Sequence, residues 1–399
     1  MRRHMIVTGA LLLTAGLAAV PAHADYGSSQ GPAHSNAPVC APPAADSASC
    51  HSRVVTDRGG SPLATTSYVN GYGPADLASA YSIPAGGSGQ TVAIVDAYDN
   101  PNAEADLAVY RSRFVLPACT TANGCFRKVN QRGQAGASPS PNVSWGQEIA
   151  LDLDMVSATC ASCKILLVEA DSNSFNDLAA AVDMAAALGA NAISNSYGGN
   201  EFSSEGSFQS HYNHPGAAIT VSSGDSGYGA EFPASSAYVT AVGGTSLVRS
   251  TATRGWSENT WSGSGSGCSA YITKPGWQTD SGCSRRTVAD VAAVADPNTG
   301  VAVYDSYGSS GGANWYVFGG TSVAAPIVAA IYAVAGNAST VGYGSYAYSH
   351  RSSLWDITSG SNGRCVRGKG NTGGAYLCTA GVGYDGPTGL GSPAGVGAF

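Results

Sequence analysis

The residues best suited to chemistry lie in three stretches of the 399-residue chain. The first is Gly319-Gly320-Thr321-Ser322-Val323-Ala324-Ala325-Pro326. Trp315–Phe318 before it reads as a buried strand, and Ile327–Gly336 after it is an apolar run long enough for a buried helix. The glycines permit a tight turn. Pro326 is expected in the first helical turn, where its missing N–H does no harm. Ser322 then stands at a strand-to-helix turn beside the positive end of a helix dipole. That suits a nucleophile whose product oxygen becomes negative, although an N-cap serine would look the same.

A nucleophilic serine needs a base. His4 and His23 fall in the leader, His34 and His51 in an N-terminal arm, His211 and His214 in a polar loop, and His350 beyond the nucleophile helix. Asp96 ends an apolar strand and could complete an Asp-His-Ser set, but no histidine is well placed to join it. The second stretch offers carboxylates instead. In Glu148-Ile149-Ala150-Leu151-Asp152-Leu153-Asp154, Glu148 and Asp152 stand at i and i+4 and share one face of a helix. Apolar residues fill most other directions, so the helix reads as buried. Its two carboxylates must share a proton or meet a polar partner, with Ser322 the obvious one. A solvated acidic stripe is the competing reading, since Asp154 adds a third acid. A carboxylate base works where histidine would be protonated, at acid pH. The third stretch, Ser222-Ser223-Gly224-Asp225-Ser226-Gly227, follows a predicted strand at the end where parallel sheets bind ligands. Alone it is ordinary turn chemistry.

The elements that must position these residues alternate. Strands are expected at 91–97, 164–169, 191–196, 217–223 and 238–242, with helices at 102–114, 145–158 and 175–188. Strands apolar on both faces, separated by helices, imply an α/β fold: a parallel sheet with helices on both faces. Residues 1–24 read as a secretory signal: Arg2 and Arg3, an apolar stretch from Ile6 to Val20, and the cleavage site Ala22-His23-Ala24. That stretch is short for a membrane span. Residues 25–67 form an Ala/Pro/Ser-rich extension, and 68–399 the main domain. The net charge is −7, and losing the two arginines of the signal makes it −9. An acidic chain without a basic block is not expected to bind nucleic acid. The ten cysteines fit export and, as neighbours, give 40/50, 119/125, 160/163, 268/283 and 365/378. Sequence alone leaves the connectivity open. Cys160-Ala-Ser-Cys163 also matches a redox motif, although nothing around it looks like thioredoxin.

Gly-Thr-Ser followed by small residues and Pro resembles the nucleophile motif of subtilisin-like serine peptidases. The whole set is similar to one branch of these, the sedolisins or serine-carboxyl peptidases with a subtilisin-like fold. The motifs are Trp145-Gly146-Gln147-Glu148 with Asp152, Ser194-Asn195-Ser196-Tyr197-Gly198, Ser223-Gly224-Asp225-Ser226-Gly227, Val242-Gly243-Gly244-Thr245-Ser246, and Gly320-Thr321-Ser322 with Pro326. The resemblance implies Ser322 as nucleophile, Glu148 as general base, Asp152 as its support and Asp225 as donor to the oxyanion. Ser246 lies in a second Gly-Gly-Thr-Ser but is followed by neither a helix start nor Pro, so it reads as structural.

Asp356 and Asp385, with turn carbonyls near them, make an oxygen-rich set of the kind that holds calcium. The resemblance implies one structural Ca2+ held by the Asp356 and Asp385 carboxylates and the Ile357, Gly381 and Gly383 carbonyls. It also implies a long prodomain, whereas fewer than about fifty residues lie between the expected signal and the main domain. Two readings remain. One is a secreted endopeptidase acting on proteins or peptides at acid pH. The other is a catalytically silent secreted binding or structural protein on the same scaffold.

Overall fold

The computed structural model describes Met1 and residues 34–66, 71–308, 313–365 and 374–399. Residues 2–24 of the expected signal and the boundary expected at 67/68 lie outside the described residues. The chain first forms an arm of three short strands, β1 (Ser35–Pro38), β2 (Ser49–Cys50) and β3 (Arg53–Thr56). Then come α1 (Pro74–Tyr81), β4 (Thr91–Ala97), α2 (Ala103–Arg113), β5 (Phe126–Asn130) and α3 (Val143–Thr159). These lead into β6 (Lys164–Ala170), α4 (Phe175–Ala187), β7 (Ala192–Asn195), β8 (Tyr197–Asn200), β9 (Ala218–Ser222) and β10 (Glu231–Phe232). The strands β11 (Thr240–Arg249) to β17 follow: β12 (Trp256–Thr260), β13 (Gly267–Thr273), β14 (Arg285–Val288), β15 (Val291–Val294), β16 (Val301–Asp305) and β17 (Asn314–Gly319). The helix α5 (Thr321–Ala335) starts immediately after β17.

The central sheet has the order β12-β11-β9-β7-β4-β6-β5, with β15 also on β11. Every neighbouring pair is parallel except β11 with β12. Alternate residues of β4 enter two cores. Val92 and Ile94 meet α3 and α5, whereas Ala93, Val95 and Ala97 join α4. This is the expected architecture of a two-faced sheet. Asp96 has the same parity as Val92 and Ile94, so it faces α3.

Three features depart from the sequence reading. The expected strand 191–196 breaks at Ser196, and β8 leaves the parallel sheet to pair with β2 and β10. β17 belongs to a separate antiparallel sheet of order β1-β3-β17-β16, so the arm helps to build the strand before Ser322. Pro326 is not in the first turn of α5 but is its sixth residue. Its absent N–H is the one that would have bonded the Ser322 carbonyl. The Ser196 hydroxyl lies 3.4 Å from that carbonyl.

All five neighbour disulfides are present, with Cα separations from 4.8 to 5.7 Å. The 160/163 pair is thus a structural bridge, and its sulfurs are buried beside Gly87. The 268/283 bridge ties β13 to the loop before β14.

Behind β11, Arg286 and Asp290 are fully buried and joined by bonds of 2.8 and 2.5 Å. Asp290 also accepts from the Ala241 amide at 2.8 Å. Asp290→Ala leaves a guanidinium without its partner in the core. We predict a loss of about 3–5 kcal/mol in urea unfolding; a change below about 1 kcal/mol would mean that water reaches this pair.

Candidate active site

α3 begins at Asn142, whose side chain accepts from the Trp145 amide at 3.1 Å and fixes the first turn. The helix is buried almost all round, so Glu148 and Asp152 are enclosed with their apolar neighbours. α3 lies against α5, and Ser322 is the second residue of α5. Gly320 caps α5 with φ at 99°, a left-handed value that favours glycine. Glu148, Asp152 and Ser322 are all fully buried.

The four expected residues converge. The Glu148 carboxylate interacts with the Ser322 and Ser52 hydroxyls, the His51 ring and the Asp225 charge, although no partner is aligned for a full hydrogen bond. The Ser322 hydroxyl donates instead to the Ser196 carbonyl at 3.2 Å. The Ser196 hydroxyl lies 2.9 and 2.7 Å from the two oxygens of Asp152 and donates its one proton there. Asp225 follows β9 on a turn stitched to the start of α5. Its Oδ1 accepts from the Thr321 amide at 2.8 Å and the Thr321 hydroxyl at 3.0 Å. Its Oδ2 is enclosed and has no partner.

Burial dominates the electrostatics. It raises the pKa of Glu148 and Asp152, and mutual repulsion keeps a proton on the pair. Asp96 joins them. Its pKa is well above normal through burial and the charges of Asp152, Glu148 and Glu169, and both its oxygens lack partners. The sequence pointed to Asp96 only as a partner for an absent histidine, whereas the fold makes it the third acid of this cluster. Asp225 is pushed up to about 6, by burial first of all, with His51 and the Thr321 bonds opposing. A carboxyl neutral below that pH, with two bonds accepted at Oδ1, can donate from Oδ2. Together with the Ser322 N–H it forms a pair of donors suited to an oxyanion.

One expectation is corrected. His51, set aside as part of the arm, lies inside the site. Its ring contacts the Ser222 hydroxyl at 2.7 Å and Glu231 at 2.9 Å. Both ring nitrogens are thereby engaged away from Ser322, so the ring is not placed as a base. Sequence reasoning also missed Ser52, Glu231 and Thr321. Glu231 is a lone acid at the start of β10, and no spacing in the sequence links it to residue 51. His211 and His214 both bind Asp183 on α4, at 2.6 and 2.9 Å. Ser246 donates to Asp296 at 2.6 Å, which fits its structural reading.

At the C-terminal end, Asp385 is buried. It accepts from the Thr388 amide and hydroxyl at 2.9 and 2.8 Å and from the Gly381 amide at 3.2 Å. The exposed Asp356 accepts from the Gly383 amide at 2.9 Å. Burial first, and then the Asp356 charge, hold Asp385 up at about 7 against the lowering effect of the Thr388 and Gly381 hydrogen bonds.

With this geometry in view, the relatives are informative. No family model matches the chain. Kumamolisin of Bacillus sp. (strain MN-32) is 31% identical over 369 residues, spanning 82% of this chain and 62% of that protein. Sedolisin of Pseudomonas sp. (strain 101) is 33% identical over 210 residues, spanning 44% of this chain and 33% of that protein. The solved structure of Pseudomonas sedolisin, a serine-carboxyl proteinase complexed with two molecules of pseudo-iodotyrostatin, superposes with a TM-score of 0.66 and 26% identity. The match covers 82% of this chain and 96% of that one. The chain belongs to the sedolisin family. Its sheet and helices are the subtilisin-like fold of that family. It spans about three fifths of kumamolisin and one third of sedolisin in their full lengths.

The raised carboxyls have a consequence for this sedolisin-family chain. Asp225 near 6, Asp305 near 7 and Glu169 near 8 stay neutral in the fold at pH values where the unfolded chain ionises them. Folding therefore takes up protons above about pH 4, and the stability they contribute is lost as pH rises through 6–8. Calorimetry on Ser322→Ala, which avoids self-digestion, should give a higher melting point at pH 4 than at pH 8. A melting point that climbs over that range would contradict the raised values.

Proposed function

We propose that the chain is a secreted serine-carboxyl endopeptidase that hydrolyses peptide bonds in proteins or peptides at acid pH. The observation that carries this reading is the free Oδ2 of Asp225. It is enclosed, on a carboxyl neutral below about 6, at the N-terminus of the helix that carries Ser322. Kumamolisin and sedolisin support the peptidase class. The five disulfides support export. Among the described residues no helix is long and apolar enough to cross a membrane.

In this mechanism Ser322 attacks the substrate carbonyl carbon while the Glu148–Asp152 pair, holding one proton between two carboxyls, receives the serine proton on Glu148. The Ser196 hydroxyl fixes Asp152, which makes Asp152 a positioning residue. The Ser322 amide and the Asp225 carboxyl hold the oxyanion. Glu148 then passes its proton to the leaving nitrogen, and water cleaves the resulting ester by the same route in reverse. Ser322→Ala and Glu148→Gln should each lower kcat on a casein substrate at pH 4 by about a thousandfold or more. Activity retained in Ser322→Ala would leave the silent-scaffold reading, or another nucleophile, in its place.

Calcium is the second part of the proposal. Asp356 and Asp385 repel each other from two separate loops, and the Gly383 amide reaches from one to the Asp356 carboxylate on the other. A divalent cation would relieve that repulsion, which is how the residues fit the ion. The Asp356 and Asp385 carboxylates, with the carbonyls of Ile357, Gly381 and Gly383, would hold it and fix the C-terminal loops. Chelation should lower the melting point by several degrees, by roughly RT ln(1 + [L]/Kd) in stability. Asp356→Ala should show the lowered value with or without chelator, and an unchanged wild-type melting point would remove calcium from the account.

A further inference from the structure

A cavity of about 400 Å3 opens between the loop before β14, the short helix Ser345–Ser349 and the C-terminal loops, and none of the catalytic residues lines it. Its wall is a chain of rings. The centroids of Trp277 and Tyr348 are 4.8 Å apart, those of Tyr348 and Tyr384 5.9 Å, and those of Tyr384 and Tyr376 6.2 Å. All four side chains line the cavity and are half-buried. Their hydroxyls are spent on the protein. Tyr384 donates to the Ala289 carbonyl at 2.9 Å. Tyr348 donates to Asp290 at 3.2 Å and accepts from Gln278 at 3.1 Å. Tyr376 donates to Asp280 at 2.6 Å and accepts from the Gly282 amide at 2.9 Å. What remains for a ligand is ring surface.

The charges around the rings pair off, with one exception. Asp280, in the wall, is held by Lys274 at 2.7 Å and by the Thr287 hydroxyl at 3.0 Å as well as by Tyr376. Arg286 lies 5.1 Å from the centre of the Trp277 ring and is paired with Asp290. Arg351 lines the cavity and is exposed, and among the described residues no carboxylate lies within ion-pair distance of it. Thr279 and Ser281 also line the cavity from exposed positions, and their hydroxyls have no partner among the described residues. The groups left over are therefore donors, and they carry one positive charge. An ammonium ligand would meet two guanidiniums and a carboxylate already spent. A carboxylate on an apolar body fits instead. A guanidinium grips it with two parallel N–H bonds, and the rings take the apolar part. The cavity is at the small end of the roughly 300–1,000 Å3 of ligand pockets, room for one residue rather than a long segment.

We propose that this cavity binds peptides by their C-terminus. Arg351, with the Thr279 and Ser281 hydroxyls, takes the carboxylate. The rings of Trp277, Tyr348, Tyr384 and Tyr376 take the side chain of the last residue, which is aromatic or branched and apolar. The binding rests on the cavity alone. That its ligands are products of this chain rests on the peptidase reading above, since each hydrolysis leaves one new C-terminal carboxylate. Tyr384 stands between Gly383 and Asp385, so the loop proposed to hold calcium also forms part of the wall.

The test is calorimetric titration of the full Ser322→Ala chain, which does not consume peptide, with calcium present. It is run at about pH 5, where an α-carboxyl of pKa near 3.5 is ionised. The probes are acetyl-Gly-Gly-Phe, its C-terminal amide and phenylacetate. The acid peptide should bind about tenfold more tightly than the amide, or better, as expected for one hydrogen bond to a charged group. Adding Arg351→Met should erase that difference. Ser281→Trp, which fills the mouth from an exposed position, should lose binding of both peptides. Phenylacetate bound as tightly as the acid peptide would assign the cavity to free aromatic acids, the same chemistry from another source. Acid and amide bound equally, affinity unchanged in Arg351→Met, or no probe bound at all overturns the proposal. Casein digestion by the wild type is measured alongside. Failed titration with casein cut leaves the peptidase reading standing, and successful titration with casein uncut keeps the binding site and removes the chain's own products as its ligands.

Discussion

A carboxyl removed from water keeps its proton, and at one end of this sheet several are removed together. Glu148 and Asp152 sit on a helix buried on nearly every side, Asp96 faces them from β4, and Asp225 closes the set from the turn after β9. No lysine or arginine is paired with Glu148 or Asp152 among the described residues. Their charge is managed by sharing protons and by the Ser196 hydroxyl beside Asp152, as the Thr321 hydroxyl serves Asp225. The rest of the site depends on this desolvation. It keeps Asp225 able to donate below about pH 6. Where a histidine base would be lost to protonation, carboxyls held up by burial still exchange protons.

The same constraint explains the scaffold. A sheet covered on both faces aligns the C-terminal ends of β4, β7 and β9, with Asp96 near the end of β4, Ser196 just after β7 and Asp225 in the turn after β9. α3 and α5 lie on one face and bring Glu148 to Ser322 from separate parts of the chain. Pro326, deeper in α5 than expected, frees the Ser322 carbonyl, and Ser196 meets both that carbonyl and Asp152.

Much of this was legible in the sequence. The two-sided apolar strands gave the parallel sheet because each element buries on its own local pattern. Glu148 and Asp152 were readable because helical spacing sets which side chains share a face. Ser322 was readable because Gly-Gly before a long apolar run needs a turn and a helix start. What failed to show had a common cause: contacts between segments far apart in the chain. The composition of 34–66 suggests a loose extension, yet Arg53–Thr56 completes the sheet beside Ser322 and His51 enters the cleft. The break at Ser196 is equally invisible, because Ser194-Asn195-Ser196 continues the strand pattern until β8 turns to meet the arm.

The most direct test of the carboxyl-based site is the pH dependence of kcat/KM on a peptide substrate, for wild type and Asp225→Asn. The amide keeps a donor but does not titrate. The wild type should lose activity as pH rises past about 6, where Asp225 ionises. Asp225→Asn should be less active at pH 4 yet keep a larger share of its activity at pH 7. A wild-type profile that peaks near pH 8, together with an Asp225→Asn profile that falls in parallel, would contradict the account and point to a histidine base.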